Sequence, residues 1–242
     1  MVSKNEIKLI TSLHQKKYRN KEGLFIAEGV KVINELLKSD FKLYKIFVAT
    51  ESDVSFNTDK EVRVPQMVLK KMSALKTPSP ALAVFYIKEA VQETLEGLTL
   101  VLDDVRDPGN LGTIIRLSDW FGVSSVVCSA NTVDCYNPKV VQATMGSLSR
   151  VQVVYTDLES YLEDESRPIY CATMEGENIY TAEVPKNAVL VMGNEANGIS
   201  ESILKLVKNN ISIPRFGTIQ ATESLNVATA TAILLSEFKR RL

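Results

Sequence analysis

The sequence predicts an α/β protein in two parts: a C-terminal parallel sheet with helices on both faces, and a small α/β domain before it. Three observations carry the prediction. From residue 98 onward, short apolar strands alternate with helical patterns, which is how a covered parallel sheet reads. Residues 5–87 instead mix short helices with β-rich runs. A polar stretch at 88–97, KEAVQETLEG, separates the two and reads as a linker, which places domains at 1–92 and 93–242.

The front part opens with an amphipathic helix over 5–13 and a basic loop over 15–23, followed by a strand at 24–27. Val32, Ile33, Leu36 and Leu37 then mark a helix by their i, i+1, i+4, i+5 spacing. Strands at 44–49 and 62–64, a helix over 66–74 and an apolar run at 82–87 complete it. In the second part, strands are predicted at 98–102, 125–128, 151–155, 169–173, 188–192 and 211–213. Helices fall near 110–121, 138–149, 157–164 and 201–208. Asn137 and Pro138 are a good cap and first helical residue, and Ser200 is a second cap candidate. The last helix, 224–241, is apolar on most of its circumference, which predicts burial, including against a second subunit. Ser224 is its expected cap.

Composition narrows the class. The chain has 242 residues, 45% hydrophobic and 24% charged, with no apolar run near the roughly 18 residues of a membrane helix. The first residues lack an apolar signal core, so a cytoplasmic protein is expected, with no membrane association. Cys128, Cys135 and Cys171 form no Cys-x-x-Cys pair and read as buried thiols, not a zinc site. The net charge of −1 is uninformative, but its distribution is not: residues 1–45 hold ten Lys or Arg against five acids, and 157–186 hold eight acids against two bases. A basic front can face a polyanion, and a solvated helix explains it equally well. The one histidine, His14, lies in a polar stretch and reads as a surface residue. Histidine-based hydrolysis and histidine-ligated metal chemistry therefore have no support.

Three loops follow predicted strands and precede helices, where open α/β sheets bind ligands. The first runs from Asp103 to Gly112, with Pro108-Gly109 as a turn, and leads to Arg116 one helical turn beyond Gly112. That guanidinium suits phosphate or ribose oxygens, and it could equally pair with Asp104 or Asp119. The second, Gly193-Asn194-Glu195-Ala196-Asn197-Gly198, has neither a dinucleotide fingerprint nor a P-loop lysine. The third runs from Ile213-Pro214 to Ser224-Leu225-Asn226-Val227. Each loop alone has an adequate structural explanation.

Their combination is specific. Asn110-Leu111-Gly112-x-x-x-Arg116, Gly193-x-Glu195-x-x-Gly198 and Ile213-Pro214 with Ser224-Leu225-Asn226-Val227 resemble, in order and spacing, the SpoU family of RNA 2′-O-methyltransferases in the SPOUT superfamily. The resemblance covers roughly residues 98–242, and residues 138–147 add to it. Residues 15–19 and 23–29 are similar to the family's ribosomal-protein-like substrate-binding domain. The resemblance implies a SPOUT domain whose C-terminal segment threads a deep trefoil knot, a homodimer, and S-adenosylmethionine bound against Gly193, Ile213 and Leu225. It implies RNA as substrate, rRNA ahead of tRNA, no metal, and Lys16, Lys17 and Arg19 as RNA contacts. Asn110, Arg116, Glu195, Ser224 and Asn226 become the catalytic candidates. In the family the matching arginine is described as activating the ribose 2′-hydroxyl. An arginine pKa above about 12 makes electrostatic stabilisation equally consistent.

One departure stands out: six residues, 218–223, separate Gly217 from Ser224, where many members have three. Two rivals share the fold, a non-catalytic RNA-binding protein and a base-methylating SPOUT enzyme. A Rossmann oxidoreductase would need a glycine fingerprint after the first strand of the second domain, where Asp-Pro-Gly-Asn-Leu-Gly stands instead.

Overall fold

Apolar runs, capped starts and glycine stops place the elements. A computed structural model describes residues 2–89, 96–123, 125–219 and 224–240. In chain order these are α1 (Lys4–Ser12), α2 (Lys16–Glu22), β1 (Leu24–Glu28), α3 (Val30–Leu37), β2 (Leu43–Ala49), β3 (Glu61–Val64), α4 (Gln66–Met72) and β4 (Ala81–Tyr86). There follow β5 (Leu98–Leu102), α5 (Pro108–Trp120), β6 (Ser125–Cys128), α6 (Pro138–Thr144), a 3₁₀ turn (Ser147–Ser149), β7 (Gln152–Tyr155) and α7 (Leu158–Glu163). The chain closes with β8 (Ile169–Asn178), β9 (Ala188–Met192), α8 (Glu201–Leu206), β10 (Asn209–Ser212) and α9 (Val227–Arg240). Two compact units result: Met1–Glu89 with Asp134–Arg150, and Ala90–Val133 with Val151–Leu242. The predicted linker at 88–97 lies largely outside the described residues.

The first unit is built on a four-stranded sheet of order β1-β4-β2-β3, antiparallel except for the β2–β3 pair. One face packs Ile26, Phe47, Leu82 and Val84 under Ile10 and Leu13 of the α1 region and Leu69 and Met72 of α4. The Phe25 ring meets Phe85 at 5.9 Å, Phe41 at 5.4 Å and Tyr136 at 4.7 Å. Burial pushes the Tyr136 hydroxyl pKa upward. Helix α6 packs on β1 in this unit.

Residues 15–23, expected to be a loop, form helix α2. Lys, Arg and Glu are good helix formers, Arg19 and Lys21 sit in the last turn, and Gly23 at φ 63° supplies a left-handed cap. Arg19 is correspondingly not a surface cation, being only 2% exposed. Its Nε donates to Asp134 Oδ2 at 2.8 Å and its Nη1 to the Leu13 carbonyl at 2.9 Å. His14 is also a correction: it is half-buried, and its Nε2 lies 2.9 Å from the Met72 carbonyl, which only an N–H can satisfy. The helix expected over 138–149 stops at Thr144, because Met145 and Gly146 turn left-handed (φ 52° and 99°). A Cβ on Gly146 would lie 2.5 Å from the Glu35 side chain, so chain packing imposes the break.

The second unit is a parallel six-stranded sheet of order β10-β8-β9-β5-β6-β7. Strands β5 and β9, LTLVL and AVLVM, are buried throughout, as expected of central strands covered on both faces. Val101, Val127, Val189 and Val191 pack against Leu158 and Leu162 of α7 and Ile203 of α8. The alternate residues Leu100, Leu102, Val126 and Leu190 are equally buried. Helices α5 and α9 pack on each other. Strand β8 runs five residues beyond its predicted end, and Gly176 allows the close pass of β10: a Cβ there would lie 2.7 Å from the Asn210 carbonyl carbon. Among the described residues, no helix is long and apolar enough to cross a membrane.

Candidate active site

Strand order decides where the site can be. The chain leaves β5 toward β6 and leaves β9, through α8, toward β10 on the other side of the sheet. Loops that diverge at adjacent C-terminal strand ends open a crevice, the usual ligand position in such sheets. Asn110 and Glu195 come from these two loops.

Helix α5 begins at Pro108, two residues before its expected start, so Pro108-Gly109 is its first turn and not a separate bend. Asp107 caps it by accepting the Asn110 N–H at 2.8 Å. An Asp before a first-position Pro is the sequence signal for this cap. The cap places Asn110 in the first turn with its side chain at the loop surface.

The loop after β9 is a closed hairpin. Asn194 and Gly198 exchange backbone hydrogen bonds of 2.8 and 3.0 Å. A Cβ on Gly193 would lie 2.2 Å from the Gly198 carbonyl carbon, so the hairpin itself requires that glycine. Glu195 stands at the exposed tip.

Helix α9 starts at Val227, capped by Asn226, not at the expected Ser224. The Asn226 Oδ1 accepts from Ala228 N at 3.0 Å and Thr229 N at 3.2 Å. This corrects Ser224 as a cap: it lies two residues earlier, exposed. Ser200 does occupy the N-cap position of α8, but its hydroxyl meets the Ser202 hydroxyl at 3.4 Å and accepts no backbone N–H of the helix.

Three residues far apart in sequence thus form one chain. Asn110 Nδ2 donates to Glu195 Oε1 at 2.8 Å, and Asn226 Nδ2 donates to Asn110 Oδ1 at 2.9 Å. Polarity along it is fixed at both ends. An ionised carboxylate only accepts, and the helix N–H groups only donate. Among the described residues, each amide therefore keeps one further N–H for a ligand oxygen.

The other predicted residues do not join this chain. Arg116 is exposed on α5, six residues and about 9 Å of helix rise beyond Asn110. Among the described residues its guanidinium makes no hydrogen bond or ion pair, and Asp104, one expected partner, is held instead by Arg106 Nε at 2.8 Å. Leu225 is 47% exposed and Ile213 half-buried. Phe216 and Ile219, more than 80% exposed, add apolar surface in the loop after β10. An adenosine-bearing cofactor needs apolar contact and amide partners, and exposed apolar carbons and hairpin backbone are residue types that can supply them. Residues 220–223, within the unusually long third motif, lie outside the described residues. In the first unit, Lys16 and Lys17 are exposed on α2.

A cavity of about 630 Å³ elsewhere in the second unit is lined by Thr99, Ser125, Tyr161 and Arg167. It includes none of the predicted residues, and its cation is already paired with Glu165 at 2.6 Å.

Comparison with known proteins identifies the family. Residues 97–236 match the model of the SpoU rRNA methylase family, and residues 4–83 match an MRM3-like substrate-binding domain. The 23S rRNA (guanosine(2553)-2′-O)-methyltransferase RlmP of Bacillus subtilis is 32% identical, over 92% of this chain and 91% of its own length. A TrmH-family protein from Porphyromonas gingivalis superposes over both full chains with TM-score 0.88 and 38% identity. An AdoMet-bound rRNA methyltransferase from Sinorhizobium meliloti superposes with TM-score 0.86 and 27% identity, covering 100% of this chain and 97% of that one.

Proposed function

Because the chain belongs to the SpoU rRNA methylase family, we propose that it transfers a methyl group from S-adenosylmethionine to a ribose 2′-hydroxyl of RNA, with rRNA favoured over tRNA. The observation that carries this reading is the Glu195–Asn110–Asn226 chain, which joins all three motifs by side-chain hydrogen bonds at the strand ends. A protein keeping the fold only to bind RNA has no use for it.

When bound, the cofactor supplies a methyl carbon already activated by its positive sulfur, so the reaction needs alignment and charge stabilisation. Gly193, Ile213 and Leu225 hold it. The spare N–H groups of Asn110 and Asn226 orient the ribose, and Ser224 lies beside them for the same oxygens. The Arg116 guanidinium grips the adjoining phosphate and stabilises charge developing on the 2′-oxygen as its O–H bond breaks and the proton passes to solvent water, which reaches this exposed site. Guanidinium groups keep their protons at physiological pH, which favours this role over that of a base.

Residues 1–92 are the RNA-binding domain, with Lys16 and Lys17 as its contacts, and 93–242 the methyltransferase domain. Arg19 is removed from the contacts, because its ion pair occupies it. The C-terminal segment threads a deep trefoil knot. A homodimer is supported by the exposed Trp120 at the end of α5. The protein works in the cytoplasm, without a metal.

Arg116→Ala is expected to bind the cofactor in calorimetry and to lose methyl transfer; turnover equal to the parent protein removes Arg116 from the mechanism. Mapping ribose methylation in RNA from cells lacking the protein identifies the target nucleotide.

A further inference from the structure

We propose that Asp103 and Asn194 are positioning residues that hold Glu195 in reach of Asn110, an inference that rests on Glu195 and Asn110 being site residues. Neither touches the proposed reacting groups. Both act on the feet of the hairpin whose tip carries Glu195.

Asp103 is the first residue after β5 and is more than nine-tenths buried. Its Oδ2 accepts the Ser200 N–H at 2.7 Å, which pins the chain where the hairpin ends. Asp104 follows in a left-handed conformation, φ 58°, uncommon for a residue with a side chain. Its N–H donates to Ser129 Oγ at 2.9 Å, and its carbonyl accepts Asn194 Nδ2 at 2.7 Å, which pins the hairpin where it begins. The Asn194 Oδ1 is meanwhile engaged by Ala196 N at 2.8 Å and Asn197 N at 3.1 Å. Its amide is thus oriented from both sides, with Glu195 between the atoms it ties together.

The consequence follows from exposure. The Glu195–Asn110 bond is open to solvent, where water competes for both partners, so it contributes little to ordering the loop by itself. The bonds at the feet are part-buried, and two consecutive residues of one loop make them, so a single rigid strand exit fixes both ends of the other loop. The tip then has one orientation in which to meet Asn110. The side chain of Asp103 also lies close enough to Cys171 for its charge, after burial itself, to raise that thiol pKa to about 12.

The test is a double-mutant cycle on methyl-transfer rate in the full-length protein, with folding followed by circular dichroism. Glu195→Ala and Asp103→Ala are each expected to lower kcat by about 10²-fold, the loss typical of a group displaced by an ångström. The double variant is expected to be no slower than Glu195→Ala alone. Asp103→Asn, whose carboxamide oxygen can still take the Ser200 N–H, is expected to restore most of the rate. Asn194→Ala, at the half-buried first foot, gives the same cycle if Asp103→Ala does not fold. Losses that multiply in the double variant overturn the inference and leave Glu195 in place. A Glu195→Ala enzyme as fast as the parent overturns the reading of Glu195 itself, and this inference with it.

Discussion

Asn226 has two jobs that one pair of substitutions separates. Its Oδ1 caps α9, and its Nδ2 donates to Asn110. Asn226→Ala removes both. Loss of the cap costs about 1 kcal/mol, and loss of an exposed side-chain bond adds about 0.5 kcal/mol. For a chain of this size the sum of about 1.5 kcal/mol lowers Tm by roughly 3–6 °C. Asn226→Asp keeps an oxygen for the Ala228 and Thr229 N–H groups, and a negative charge there is favoured by the helix dipole by about 0.3–1 kcal/mol. Its stability should equal or exceed that of the parent. Its carboxylate, however, has no proton for Asn110 Oδ1. If Asn110 flips to offer its NH₂ group to the new carboxylate, its oxygen faces Glu195 and that bond is lost instead. Methyl transfer should therefore fall by about 10²-fold. Thermal unfolding by circular dichroism and transfer of a labelled methyl group to RNA measure the two effects. A fully active Asn226→Asp enzyme refutes the amide chain as part of the site, and an unchanged Tm in Asn226→Ala refutes the cap.

Further outcomes follow from other parts of the molecule. Replacing Lys16 and Lys17 by Gln should weaken RNA binding and reduce the slope of log affinity against log salt by about 1–2; an unaltered slope excludes α2 from the RNA interface. Arg19→Ala should act on stability instead, costing about 3 kcal/mol, because it leaves the Asp134 carboxylate without its buried partner; denaturant unfolding reads this directly. The hydrogen bond from Arg167 depresses the Glu165 carboxyl below the usual range. The pair therefore stabilises the fold above the unfolded-state pKa and is lost as pH falls through the lower folded value. Glu165→Gln should flatten the acid side of the stability profile below about pH 4.5, and an identical profile in the variant refutes the linkage.

Legibility in the sequence followed the kind of signal. The buried strands β5 and β9 are unbroken apolar runs bounded by polar residues, and both stand where pattern places them. The Asn137-Pro138 start of α6 was equally legible, since cap chemistry is local. Helix α2 was not: its sequence, KKYRNKE, lacks the apolar stripe that marks a helix, and the one residue it buries is an arginine. Composition alone cannot tell a buried arginine from a solvated one. Its partner Asp134 lies 115 residues away. The same limit hid the roles of Asp103 and Asn194, which read as ordinary loop residues until their partners 97 and 90 residues away are known.

By itself the sequence determined the strands, most helix starts and the three motifs, because these depend on residues within a few positions of one another. It also determined which side chains are available for chemistry, with one histidine and no metal-binding spacing. Tertiary structure decided which of those residues meet. Adjacency of β5 and β9 brings Asn110 to Glu195 across 85 residues, and the capped start of α9 brings Asn226 to Asn110 across 116. It also removed Arg19 from the surface and made Gly193 a requirement of the hairpin. The reason is the same throughout: capping and periodicity are local, whereas strand order and burial are properties of the packed chain.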